Sequence, residues 1–313
     1  MILVAGEALF DLFVAGDDGS GFAFDARPGG SPFNVAIGLA RLGQSTAFLG
    51  GLSVDFLGGR LTRLLAAEGV GTNFIQHRRQ PTTLSVVGLN SEGAAAYAFT
   101  GDGADRVVLA DDIPALPADC RAIHLGSFSA VLEPIGGTTE SLLRRESGRR
   151  LIAYDPNIRI TIEPDIEVWR RKLESLLRLV HLLKISLEDF NLLFPGADPS
   201  QMARRWLGRG PRLVVLTRGS EGAWGWTATA EVEMAAVPTE LVDTVGAGDS
   251  YQAALLAGLA ETWRLNPTAL SALTPANLAQ LLAFAGTAAA ITCSRRGADL
   301  PRRNELPPLS TSH

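Results

Sequence analysis

Five short apolar runs, at 47–49, 123–125, 151–154, 182–185 and 213–217, recur along this 313-residue chain, each bounded by turn-forming residues. A strand with one wet face would alternate apolar with polar side chains, so near-continuous apolar runs of this length read as strands buried on both faces. Between several of them, over 34–42, 57–67 and 169–179, apolar residues return at helical spacing. Strand therefore alternates with helix, which makes the fold class α/β and predicts buried parallel strands.

Two segments break that rhythm, 11–27 and 82–108. In the second, 82–89 and 94–100 flank Asn90-Ser91-Glu92-Gly93 and read as a β-hairpin. Both segments lie in the first third of the chain, and they are expected to pair into a small sheet that projects as a lid over a substrate cleft. No internal repeat or long linker divides the rest, so one domain over 1–313 carrying that appendage is expected.

Composition narrows the chemistry. A formal net charge of −5 disfavours nonspecific binding to nucleic acid or to an acidic membrane. Cys120 and Cys293 are too few for a disulfide framework or a four-ligand zinc site, and a reducing, cytoplasmic setting is the expectation. The start, Met1-Ile2-Leu3-Val4-Ala5-Gly6, has no basic residue before its apolar run and reads as a first strand rather than a signal peptide. The charge-free stretch 265–294 is interrupted by Pro267, Pro275, Asn277 and Gln280, so a buried helix is expected there rather than a membrane span. Small-molecule chemistry is what remains.

The segment Asp243-Thr244-Val245-Gly246-Ala247-Gly248-Asp249-Ser250 runs from small residues into a helix start. Gly246, Ala247 and Gly248 allow the backbone close to a ligand, and the free N–H groups of the following helix favour an anion such as phosphate. Asp249 would repel that phosphate unless it had its own task. It could take a proton from a hydroxyl that attacks the phosphoryl group, or it could simply cap the helix. Near the other end of the chain, Gly29-Gly30-Ser31-Pro32-Phe33-Asn34 also opens a helix, one that stops at Gly43. The glycines could bring N–H groups to sugar oxygens, with Asn34 supplying both donor and acceptor, or they could form an ordinary cap.

In this order and at this separation, the two segments resemble the signature regions of the PfkB (ribokinase-like) carbohydrate kinases. The resemblance extends from Gly6-Glu7-Ala8-Leu9-Phe10-Asp11 to Arg295-Arg296-Gly297-Ala298, nearly the whole chain. It implies a ribokinase-like three-layer fold, with a central mostly parallel sheet and a small β lid, and ATP-dependent phosphoryl transfer to a sugar. It makes Asp249 the general base and the backbone of Gly246, Ala247 and Gly248 the hole for the transferring phosphoryl group. Asp11, Gly30 and Asn34 align with sugar-contacting positions, with Ser31 and Ser127 on either side of the cleft. Thr217-Arg218-Gly219-Ser220-Glu221-Gly222 resembles the family's nucleotide-binding turn, so Thr217, Gly219 and Gly222 join Lys184, Ser186 and Gly286 as nucleotide-side candidates. Mg²⁺ is expected to rely on phosphate oxygens and water rather than a protein cage. The carbonyls of Asp243, Val245, Thr292, Arg295 and Gly297 align with the site of potassium-activated members, which implies K⁺ activation.

The sugar is read from smaller signals. The 29–34 segment, Tyr154-Asp155-Pro156-Asn157-Ile158-Arg159 and Ile291-Thr292-Cys293-Ser294-Arg295-Arg296-Gly297-Ala298 resemble the bacterial fructokinase branch, so fructose is the expected acceptor. Arg159 would reach a phosphate or substrate oxygen, or make a surface ion pair. A 2-keto-3-deoxygluconate kinase would be expected to place an arginine in the hairpin to hold a carboxylate, and Tyr97-Ala98-Phe99-Thr100 has none. Ribose and nucleoside kinases of the same family stay open as alternatives, as does a homodimer paired through the lid. Outside the class, a noncatalytic sugar-binding protein would be expected to have lost Asp249, and a dinucleotide-binding dehydrogenase would need a glycine fingerprint that the residues after Val4 do not supply.

Overall fold

Along β1 (Ile2–Ala5), Ile2 and Val4 point into one apolar core and Leu3 and Ala5 into another, all four buried. A strand so placed must lie in the middle layer of three. The computed structural model describes residues 1–17, 19–89, 95–100, 102–262 and 264–310, and the turn expected at 90–93 lies outside them. The remaining strands in chain order are β2 (Leu9–Asp17), β3 (Phe22–Gly29), β4 (Thr46–Ser53), β5 (Gly71–Arg78), β6 (Leu84–Leu89), β7 (Ala95–Phe99), β8 (Ala122–Gly126), β9 (Leu151–Asp155), β10 (Leu182–Ser186), β11 (Leu213–Thr217), β12 (Ala223–Trp226) and β13 (Glu231–Met234). The helices are α1 (Ser31–Arg41), α2 (Phe56–Ala67), α3 (Ile135–Glu146), α4 (Ile166–Leu176), α5 (Leu187–Leu193), α6 (Pro199–Leu207), α7 (Ala247–Glu261), α8 (Pro267–Ser271) and α9 (Pro275–Cys293).

The main sheet has the order β13-β12-β11-β10-β9-β8-β1-β4-β5, parallel from β11 through β5, with β12 and β13 added antiparallel at one edge. Residues of α1, α2, α7 and α9 share one core with it, and residues of α3, α4, α5 and α6 share the other. The three-layer α/β expectation is what forms. All five apolar runs are strands of this sheet. The switch point of the strand order lies between β1 and β8, which places a crevice beyond their carboxyl ends.

α7 is buried along ten of its fifteen residues, from Ser250 through Leu259. Its small residues let neighbours approach from all sides. Gly38 of α1 is one such contact, since a Cβ there would stand 2.8 Å from the Cβ of Ala253. The apolar helix α9 is long enough to span a membrane, yet Leu278, Leu282, Phe284, Ala285 and Ala288 are spent in the core that it shares with α7, as expected for the 265–294 stretch.

The second sheet has the order β3-β2-β6-β7, with β2 and β6 parallel. Its first hairpin is longer than the 11–27 segment, and β6 starts later than residue 82. The delay has a cause: Thr82 donates its N–H and its hydroxyl to Asp55, and Thr83 donates its hydroxyl to buried Asp105, so both are tied to the body of the protein before the strand begins. Likewise residues 104–106 form a 3₁₀ turn against β4, where a side chain at Gly51 would collide with the Ala104 carbonyl. The end of the 82–108 segment is therefore part of the main body.

Candidate active site

Parallel strands end on one edge of the main sheet, and the chemistry-bearing side chains gather there. Glu7 follows β1, Ser127 follows β8, Asp155 ends β9, Ser186 ends β10 two residues after Lys184, and Thr217 ends β11. The amino ends of α1 and α7 face the same edge, and a hydrogen-bonded contact joins them.

That contact involves Asp249, in the first turn of α7. Its Oδ1 accepts the Ser31 hydroxyl at 2.6 Å and its Oδ2 accepts the Asn34 side-chain N–H at 2.8 Å. The α7 cap position belongs to Gly246, without any side-chain cap, so the helix-cap reading of Asp249 does not hold. Gly246 has φ +79°, and a Cβ there would stand 2.7 Å from that of Ala298, so glycine is required on both counts. The Ala247 N–H donates to the Thr244 carbonyl at 3.2 Å and is committed within the loop. Directly beside Gly248 stands an ammonium: Lys184 Nζ lies 3.2 Å from where a Cβ of Gly248 would be. A loop at a helix amino end with a lysine next to it suits an anion.

Lys184 is itself held by Asp155 Oδ2 at 2.7 Å, with both side chains buried. Burial pushes the Asp155 carboxyl up, against the pull of Lys184, and its Oδ1 has no hydrogen-bond partner. Asp189 is raised to about 6, first by burial and then by the charge of Asp155. Ser186 accepts the Asp189 N–H as the cap of α5, so part of its hydrogen-bonding capacity is already used.

Among the residues expected to meet the sugar, Asp11 pairs in register with Ser85 between β2 and β6. Burial raises its carboxyl, Ser85 and Arg159 oppose the rise, and Asp249 adds to it, so these charges sense one another across the cleft. Arg159 is exposed and donates to the Ile158 carbonyl at 2.9 Å. Gly30, at φ +103°, brings α1 up to the Glu7 carbonyl, 2.8 Å from where a Cβ would be. Ser127 has φ +59° and ψ −163°, a conformation nearly confined to glycine, and is buried. Its N–H donates to the Asp155 carbonyl at 3.1 Å, and its hydroxyl acts to lower the Glu7 carboxyl.

The nucleotide-side candidates converge less tightly. Gly219 (φ +56°) and Gly222 (φ +94°) make the turn between β11 and β12, and a side chain at Gly222 would collide with the Met234 carbonyl. Gly286 on α9 faces Val237, a few residues along the same segment. The expected cation loop is drawn together by Asp243, whose carboxylate accepts the N–H groups of Val245 (3.0 Å) and Gly297 (2.8 Å). Two of its five carbonyls already accept internal bonds, Thr292 from Arg295 N–H and Gly297 from Asp299 N–H. Among the described residues no group of three His, Cys, Asp or Glu side chains could hold a metal ion.

Two participants were not singled out from sequence, Asp155 and Glu7. A trace of each was there: a carboxylate closing an otherwise apolar strand or following it directly. Glu7 is fully buried, accepts the Ser129 hydroxyl at 2.6 Å and is raised to about 7 by burial.

Comparison with known proteins places this geometry in context. Residues 1–305 match the family model described as pfkB family carbohydrate kinase. A fructokinase of Rhizobium leguminosarum bv. trifolii is 38% identical over 260 residues, covering 83% of this chain and 79% of that protein. A fructokinase of Klebsiella pneumoniae is 34% identical and covers 97% of both chains. Among solved structures, the fructokinase of Xylella fastidiosa with bound ATP superposes with a TM-score of 0.86 at 26% identity, covering 98% of this chain and 94% of that one.

Proposed function

This chain belongs to the pfkB family of carbohydrate kinases, and we propose that the sugar it phosphorylates is fructose, with ATP as the donor. The observation that carries the reading is the placing of Asp249 and the Gly246–Gly248 loop on one helix turn, with the Lys184 ammonium alongside. A base and an anion cradle so close together suit a hydroxyl that loses its proton while its oxygen takes a phosphoryl group. The preference for fructose rests on the relatives.

In this mechanism Asp11 accepts hydrogen bonds from sugar hydroxyls, and Asn34 offers its second N–H and its carbonyl oxygen to the same substrate. Asp249 takes the proton of the attacking hydroxyl as that oxygen bonds the γ-phosphorus and ADP leaves. The amino end of α7 and Lys184 stabilise the charge on the transferring group without reorganising. A bound Mg²⁺ would neutralise phosphate charge, and K⁺ in the loop organised by Asp243 would firm the backbone leading into Gly246. The turn 217–222 and the face of α9 at Gly286 flank the nucleotide. Two unpaired cysteines suit a reducing, cytoplasmic setting. The four-stranded sheet, with Val14 and Phe24 exposed, is the face through which two copies would pair and the lid that would cover the sugar.

The test is coupled ADP release with ATP, Mg²⁺ and K⁺ against fructose, ribose, 2-keto-3-deoxygluconate and adenosine, beside Asp249→Ala. Fructose-dependent turnover that falls about 10²- to 10⁴-fold in the variant is expected. Faster turnover of another acceptor would replace fructose, and undiminished turnover in the variant would remove Asp249 from its role.

A further inference from the structure

We propose that Ser31 is a positioning residue that fixes the aim of the base Asp249 before sugar arrives, and is not a sugar contact. The inference rests on the kinase reading above but assigns Ser31 a different partner from the one its motif suggested. A serine hydroxyl has one proton to donate, and here it is given to Asp249 Oδ1 at 2.6 Å. Asn34 has two donors and a carbonyl, and uses one donor on Oδ2 at 2.8 Å. The two side chains are therefore not equivalent. Asn34 can hold the base and a sugar together, whereas Ser31 has only acceptor capacity left.

The consequence for the base is geometric. Each carboxylate oxygen has about two lone-pair directions, and one on each is taken from the α1 side. The carboxylate plane is fixed by two donors on separate oxygens, and one acceptor direction per oxygen is left for the attacking hydroxyl. The scaffold holds this in place from both ends. Pro32 packs where a side chain at Gly6 would stand, and Gly38 admits Ala253 at the crossing of α1 with α7. Ser31 and Asn34 are both buried, at 7% and 8% exposure, so their donors have little water to turn to.

A base aimed in advance lowers the barrier to transfer more than it tightens sugar binding, because misplacing a reacting group by a fraction of its reach slows the step itself. The experiment measures kcat and the fructose KM separately for Ser31→Ala and Ser31→Thr, each in the unmodified protein and in Asp249→Ala. Expected are a fall in kcat of roughly 10- to 100-fold for Ser31→Ala with KM within about twofold, recovery of most of that loss in Ser31→Thr, and no further loss when Ser31→Ala is added to Asp249→Ala. A rise in KM with kcat intact would make Ser31 a sugar contact and overturn the proposal, as would equal losses in both backgrounds. If the unmodified protein turns over no fructose, the substrate reading fails rather than this one. The cycle of the unmodified protein, Ser31→Ala, Asp249→Ala and their double variant is also read by urea unfolding, where coupling between Ser31 and Asp249 is expected and additivity overturns the proposal.

Discussion

Lys184 and Asp155 form a 2.7 Å ion pair in which the two side chains are 5% and 2% exposed, on neighbouring strands at the edge where Gly248 sits. Such a pair is weak evidence for stability, since both charges had to leave water, but breaking it from one side strands the other charge. Lys184→Met is expected to cost about 3–5 kcal/mol in urea unfolding and to raise the KM for ATP. Adding Asp155→Asn should restore part of the stability and none of the ATP affinity. If the double variant recovered both, Lys184 would have no part in binding the nucleotide.

Glu7 gives the fold a pH dependence of unusual sign. Its carboxyl is raised from 4.5 to about 7, first by burial, with the Ser129 and Ser127 hydroxyls opposing and Asp105 adding to the rise. Between those values the folded chain keeps a proton that the unfolded chain has lost. This contribution to stability is therefore present below the unfolded value and is lost as pH rises towards 7. Asp189, raised to about 6, adds a slope of the same sign at lower pH. Glu7→Gln should flatten the profile, matching the unmodified protein near pH 4 and exceeding it by about 3 kcal/mol at pH 8. Urea unfolding at four pH values decides, and parallel curves would show that Glu7 stays ionised.

Gly246→Ala places a methyl group at φ +79° and against Ala298. A left-handed alanine costs about 1–2 kcal/mol before any clash, so a lower melting temperature is expected together with a fall in kcat, because the loop proposed to meet the phosphoryl group must shift. A variant with full activity and an unchanged melting temperature would show that the loop tolerates a side chain there.

Gly38→Ala acts at a distance. The added methyl group meets Leu300 at 2.5 Å, at the end of a flexible side chain, and Ala253 at 2.8 Å, where no flexible atom can give way, so α1 is expected to move away from α7. Overpacking of this kind costs about 1–3 kcal/mol, and it withdraws Ser31 and Asn34 from Asp249. Expected is a loss of kcat in a folded protein, with the ATP KM unchanged since the nucleotide-side residues lie elsewhere. Unaltered kcat would mean that α1 adjusts without moving its first turn.

The sequence made the buried strands legible because burial on both faces leaves no polar alternation, and it made the glycine loop that opens α7 legible because Gly246, Gly248 and Asp249 lie together in the chain. The helix at 169–179 forms three residues earlier, since Asp165 caps it by accepting the Glu167 N–H, a local signal that apolar spacing ignores. Ser31 and Asn34 were placed at the sugar, and no local pattern could have tied them to a carboxylate 218 and 215 residues away. Asp155 and Glu7 were hidden for a similar reason. A single acid next to an apolar run has no periodicity, and its meaning comes from strands that meet only in the folded sheet. The edge pair β12 and β13 was not identified either, because Trp224, Gly225 and Trp226 break the aliphatic pattern that marked the interior strands.

The burial of α7 on nearly every side has a consequence for redesign. A rod gripped along ten consecutive residues offers few positions where a substitution would not disturb Asp249 at its tip. The four-stranded sheet is the opposite case: Leu12 and Phe13 of β2 and Ala23 of β3 all keep some exposure, so their side chains can be exchanged with little repacking inside the chain. If the proposed lid and base hold, changes of acceptor sugar are best sought on that sheet and changes of rate on the helix, as two largely independent dials.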